Sequence, residues 1–220
     1  MIRQLKIIFL GFILIGTMSV LAHASGDVKY FSTYTFSCEI NDDFSIFFQP
    51  EGRMYDDLNV FSYYHFRLGG IYEASKNLKY GLTYRFARSR SLADVWSSEN
   101  RIELDLTPKF TIGNFKISDR SRFEYRMLHS RQDKWRYRNN LTLSTTANIG
   151  KHSFSPYVSN EIYIDFDNNV FNTNWSTAGF SKKLSDKVSL NVFYRLESIR
   201  IKHNEWDTNN IFGTNLTLKL

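Results

Sequence analysis

The sequence predicts an all-β protein, an antiparallel up-and-down transmembrane β-barrel of about 10–12 strands. Two observations carry this expectation. Strict two-residue alternation recurs from residue 28 to the last residue, with apolar and aromatic side chains on one face and charged ones on the other. Tight polar turns alternate with connections that tend to be longer, and tryptophans follow the longer ones. No later stretch has helical periodicity or a long apolar run.

The clearest alternation lies in 118–144, SDRSRFEYRMLHSRQDKWRYRNNLTLS. Phe123, Tyr125 and Met127 share one face, against Arg120, Arg122, Glu124 and Arg126. After a polar break, Trp135, Tyr137, Leu141 and Leu143 share a face against Arg136, Arg138, Asn140 and Thr142. In a soluble sandwich the apolar face would meet a second sheet and the polar face water. In a membrane barrel the apolar face meets lipid and the charged face lines the lumen.

The first 24 residues read as a secretory signal peptide: Arg3 and Lys6, an apolar segment over 7–21, and Ala22-His23-Ala24 as the cleavage site. The mature domain is then 25–220. Aromatic residues make up 16% and proline only 3 of the 220 residues, so the chain is neither disordered nor dominated by loops. The net charge of +6 includes Arg3 and Lys6, and the remaining charges are interleaved with aromatics at strand spacing. That arrangement argues against a nucleic-acid surface. A single cysteine, Cys38, excludes an internal disulfide.

In chain order the pattern places strands over 28–40, 44–53, 61–73, 78–87, 99–107, 115–127, 134–146, 154–165, 172–183, 188–198 and 207–220. Leu78, Tyr80, Leu82, Tyr84 and Phe86 alternate with Lys79, Gly81, Thr83, Arg85 and Ala87. Val188, Leu190, Val192, Tyr194 and Leu196 do the same against Ser189, Asn191, Phe193, Arg195 and Glu197. Eleven strands is an odd number, whereas a bacterial barrel with both ends in the periplasm needs an even one. The first, 28–40, is the segment least like a full strand.

Trp96, Trp135, Trp175 and Trp206 each follow a longer connection, and Tyr63 and Tyr64 hold the equivalent place in an earlier hairpin. The expectation is one rim of interfacial aromatics, with a plugged end of a core as the alternative. The chain ends in a strand in which Gly213, Leu216, Leu218 and Leu220 alternate with polar residues. This resembles the C-terminal signal read by the barrel-insertion machinery, with Leu220 where an aromatic is usual.

The inward face should carry Arg67, Arg85, Arg101, Arg120, Arg122, Arg126, Arg136, Arg138 and Arg195, with Glu51, Glu99, Glu103, Asp105, Glu124, Glu161, Asp165 and Glu197. Adjacent strands offer opposite charges at pairing distance, and arginine suits two-pronged contacts with carboxylates. Two uses fit: a structural ionic ladder filling the lumen, or a path for anions. The near match of acids to arginines favours the ladder.

No catalytic or metal site is expected. His129-Ser130 and His152-Ser153 are adjacent pairs, whose side chains point to opposite faces of a strand, and His65 and His203 stand apart. No cofactor motif is visible.

The segments SRFEYR (121–126), WRYRNNLTL (135–143), SFSPYVSNEIYIDF (153–166), QPEGR (49–53) and LNVFYRLE (190–197) resemble a family of bacterial outer-membrane β-barrels, domain of unknown function 2490. The resemblance spans nearly all of the mature chain. It implies a barrel and an outer-membrane address, and it transfers no catalytic residue. The resulting expectation is a non-enzymatic barrel in contact with outer-membrane lipid. A secreted or periplasmic β-sandwich binding protein and a lipid-modifying barrel enzyme are the alternatives.

Overall fold

The computed structural model describes residues 26–220 except 92, 130, 151, 168, 169, 203 and 204. The signal-peptide segment lies outside the described residues, as does His203. Twelve strands follow one another: β1 (Val28–Glu39), β2 (Phe44–Tyr55), β3 (Val60–Ser75), β4 (Leu78–Arg90), β5 (Trp96–Ile112), β6 (Phe115–Leu128), β7 (Lys134–Thr145), β8 (Ala147–Ile149), β9 (His152–Asp165), β10 (Val170–Lys183), β11 (Val188–Lys202) and β12 (Glu205–Lys219). The short β8 continues β7 along the same edge of β9, so the wall has eleven strands. Neighbours in sequence are neighbours in the sheet, all antiparallel, and β1 closes against β12 in parallel register, Val28 beside Asn210 and Ser37 beside Lys219. One sheet closed on itself is not a sandwich.

The closure corrects one expectation. An even count is not needed here, because the parallel seam accommodates an odd number, and 28–39 is a complete strand rather than a doubtful one.

All three prolines lie within strands, and each coincides with an interruption in one ladder. Pro50 falls where β1–β2 pairing skips from Thr33↔Glu51 to Phe36↔Phe48. Pro108 falls between Leu106↔Ser121 and Lys109↔Ser118 of β5–β6. Pro156 falls between Ser144↔Tyr157 and Ala147↔Phe154, which is the break separating β7 from β8. Proline has no N–H to give, so pairing lapses and resumes in the same register.

Polarity is inverted relative to a water-soluble domain. Among the described residues, six apolar side chains are buried against sixteen polar or charged ones. Long apolar side chains such as Leu68, Leu82, Leu104 and Ile102 stand outward, and Leu82 is 58% exposed beside Thr83 at 3%. The two faces match the alternation read from the sequence.

Candidate functional site: the charged interior

The interior is built from carboxylates that each collect several cations. Glu103 on β5 has no exposed surface. It accepts a hydrogen bond from Arg67 Nη2 at 2.9 Å, lies 3.0 Å from Arg122 Nη1 and forms an ion pair with Arg85 Nη2 at 2.7 Å. Arg67 comes from β3, Arg85 from β4 and Arg122 from β6, so one carboxylate ties four strands. Arg122 also grips Asp105 with Nε and Nη2, both at 2.6 Å.

A second knot lies one strand further round. Glu124 on β6, equally buried, accepts from Arg136 Nε at 2.8 Å and Arg138 Nη1 at 3.0 Å, with Arg101 Nη1 at 3.8 Å. Arg138 continues to Glu161 on β9 through Nε at 3.0 Å, and Arg120 Nη2 reaches the same carboxylate at 2.5 Å. Glu99 is shared by Arg101 Nε at 2.5 Å and Arg126 Nε at 2.6 Å. The two knots share strands β5 and β6 and together span β3 to β9, and their alternation of sign offsets the desolvation that buried charge otherwise suffers.

Three expected members behave differently. Asp165 points inward and accepts from Asn172 Nδ2 at 2.6 Å, with no ion pair among the described residues. Arg195 likewise has no ion pair among them; it donates to Thr177 Oγ1 at 3.0 Å and stacks over Trp175 at 4.1 Å. Glu197 pairs with Lys29 Nζ at 2.7 Å and accepts from Trp175 Nε1 at 2.9 Å, rather than from an arginine. Interior cations also lie on aromatic faces, as with Arg53 over Phe31 at 4.1 Å and over Tyr63 at 4.3 Å. Phe31, Tyr163, Trp175 and Ile211 form a small apolar cluster within this aromatic stack.

Trp175 corrects the expected rim. It is 8% exposed and points into the barrel, while Trp135 and Trp206 are 49% and 42% exposed. The cause is a bulge: register shifts between Phe171 and Thr173, leaving Asn172 unpaired and reversing the faces beyond it. Phe171 takes the outward rim place and packs on Trp206 with ring centroids 5.2 Å apart. A shift between Arg53 and Met54 leaves Ser62 unpaired on the opposite strand and likewise turns Tyr63 inward, while Tyr64 stays outward against Trp96 at 5.7 Å. Tyr125 and Trp135, 4.9 Å apart, complete the rim.

Lys29, Arg53 and His65 are interior groups the sequence reading missed. Arg53 shares the parity of Glu51, whose carboxylate it contacts through Nε at 2.6 Å, and that spacing was the available signal. Of the histidines, His65 is buried beside Glu51 at 3.5 Å, and neither ring nitrogen has a hydrogen-bond partner. His129 and His152 are exposed. Among the described residues no group of three metal-ligating side chains occurs.

No curated protein matches the chain. The profile of the family described as "Protein of unknown function (DUF2490)" matches residues 28–209, which takes in ten of the eleven wall strands whole and the start of β12. With more than four-fifths of its length matched, the chain belongs to that family.

Proposed function

We propose that the protein is a non-enzymatic outer-membrane β-barrel whose interior is sealed by its ion network. In this reading it is exported with cleavage after Ala24 and inserted through its C-terminal strand. The observation that carries the reading is the inverted polarity. An extensive outward surface of exposed Phe, Leu, Ile and Tyr is one that monomeric soluble proteins rarely present. Strands of 12 to 17 residues, leaving aside the short β8, exceed what a tilted strand needs to cross a bilayer. Aromatic groups around Trp96, Trp135 and Trp206 sit at one rim, the position of headgroup-level rings.

The sealed interior follows from the burial of its charges. Glu103, Glu124, Arg122 and Arg138 are 0–6% exposed, so water does not bathe them as it would in a wide pore. Such a barrel acts through its rims, its outer wall or its presence in the membrane, not through bulk transport.

Fractionation followed by alkaline extraction tests the address, and planar-bilayer recording tests the seal. The expected result is retention with outer membranes and no steady conductance. Release by alkali would end the membrane reading. A stable, anion-selective current from protein with an undisturbed melting temperature would end the sealed interior and favour an anion path.

A further inference from the structure

The outer wall is not uniform. On β2 to β5 it presents mostly long apolar side chains, Phe48, Phe66, Leu68, Leu82 and Leu104 among them. On β6, β7, β9 and β10 a polar seam crosses it. Asn139 Nδ2 donates to Asp119 Oδ1 at 2.6 Å, and the Ser121 and Tyr137 hydroxyls lie 2.9 Å apart. Asn160 and Asn174 exchange hydrogen bonds, Nδ2 to Oδ1, at 3.1 and 3.2 Å, and Asn160 Nδ2 also reaches Ser176 Oγ at 3.2 Å. Register sets the two groups diagonally: Ser121 faces Asn139 across β6–β7 and Asn160 faces Ser176 across β9–β10, with Leu141 of β7 opposite Asn160 between them. Asn139 is four residues along β7 from the rim ring Trp135, roughly 13 Å at strand rise. The seam therefore lies at the depth of acyl chains, not headgroups.

A second feature adjoins it on the same strands. Below the seam the wall is concave, with a groove of about 410 Å³ lined by residues including Leu143, Phe154, Pro156, Val158, Ala178 and Phe180. It lies where Pro156 breaks the β7–β9 ladder and β8 begins. Val158 and Ala178 are the next outward positions below Asn160 and Ser176.

Asparagine, serine and a carboxylate facing lipid keep polar valences that hydrocarbon cannot satisfy. We infer that this face, seam and groove together, is the contact through which two copies of the chain pair in the membrane. The occupant follows from the chemistry of the seam. It carries amide and hydroxyl donors beside the acceptor Asp119, and its asparagines already bond to asparagine. A two-fold axis through the patch brings Asp119 and the amides of one copy to the donors and amides of the other. The small outward residue Ala178 lets the second wall approach closely at the groove.

This inference rests on the membrane reading above, and the experiment separates the two. Outer membranes carrying Ser176→Cys in a Cys38→Ser background are treated with a short bismaleimide, with Leu104→Cys on the far wall as comparison. The expected product is a covalent dimer of twice the chain mass from Ser176→Cys and none from Leu104→Cys. In mild detergent, Asn160→Leu with Asn174→Leu should raise the dimer dissociation constant at least tenfold while the melting temperature of the barrel holds. A membrane-retained chain that stays monomeric, cross-links equally from both walls, or cross-links to a protein of another mass overturns the pairing alone. A chain absent from the membrane fraction overturns both proposals.

Discussion

A single carboxylate in the interior answers for three guanidiniums. Glu103 meets Arg67, Arg85 and Arg122 from three strands, and the four side chains are only 0–11% exposed. Taking away one partner of such a cluster leaves charge desolvated and unmatched, at a cost of about 3–5 kcal/mol. Glu103→Gln should therefore lower the unfolding free energy in lipid or detergent by that order. Adding Arg67→Met to it should return part of the loss, because one stranded charge is removed. Asp186→Asn is the control: its partner Lys183 stands in solvent on a tight turn, and the pair's loss should leave the melting temperature unchanged. Denaturant titration of the four chains reads the comparison. Equal stability of wild type and Glu103→Gln would mean that the interior is wet, and that the ladder is a lining rather than a fill. A quieter constraint acts at Gly213, where a Cβ would lie 2.1 Å from the Phe193 ring on the facing strand, so an aromatic covers the bare backbone there.

Most elements were legible because a strand has only two faces. Leu82 outward and Thr83 inward, or Glu103 and Arg122 on neighbouring inward positions, follow from parity alone. What parity cannot show is where it is reset. The unpaired Asn172 and Ser62 each reverse the faces beyond them, and neither residue looks unusual in an alternating run. Trp175 and Tyr63 were misplaced for that reason. Lys29 was missed because its strand looked incomplete, and Arg53 was left out although it shares the parity of Glu51 on the same strand. The bulge at Asn172 has an optical consequence. Of single-tryptophan chains, the one keeping Trp175 should resist quenching by lipids brominated on their acyl chains, since its ring packs on Phe31 and Tyr163 and its N–H is held by Glu197. The chain keeping Trp135 should be quenched. Matching quenching of both would place Trp175 on the outer wall and remove the bulge.

For the whole molecule, the odd strand number decides where the two ends lie. The seam is parallel, a pairing slightly weaker per residue than the antiparallel kind. Side chains reinforce it along its length: Tyr30 with Thr214 at 2.8 Å, Thr35 with Asn215 at 3.2 Å and Lys219 with Glu39 at 2.9 Å, while Lys29 reaches past β12 to Glu197 of β11 at 2.7 Å. β1 begins at the rim of the longer connections. Asp57 binds it there: its N–H donates to Asp27 Oδ1 at 2.7 Å, and its own Oδ1 accepts from the Val28 N–H at 3.2 Å. That tie fixes the turn in which Asp56, Asp57 and Leu58 all hold positive φ, a conformation that tertiary contacts must enforce. β12 ends at the opposite rim, where Leu220 N–H donates to Ser37 O at 2.8 Å. An even-stranded barrel would bring both ends to one side. In the membrane reading, tight turns face the periplasm and longer connections the exterior. An epitope placed directly after Ala24 should then be reached by antibody on intact cells, alongside labelling of Val95→Cys in the long rim. Ser185→Cys, in the tight turn between β10 and β11, should label only after the outer membrane is opened. An epitope reached only together with Ser185→Cys would show that the start of β1 lies at the tight-turn rim, and that the wall closes with an even number of strands.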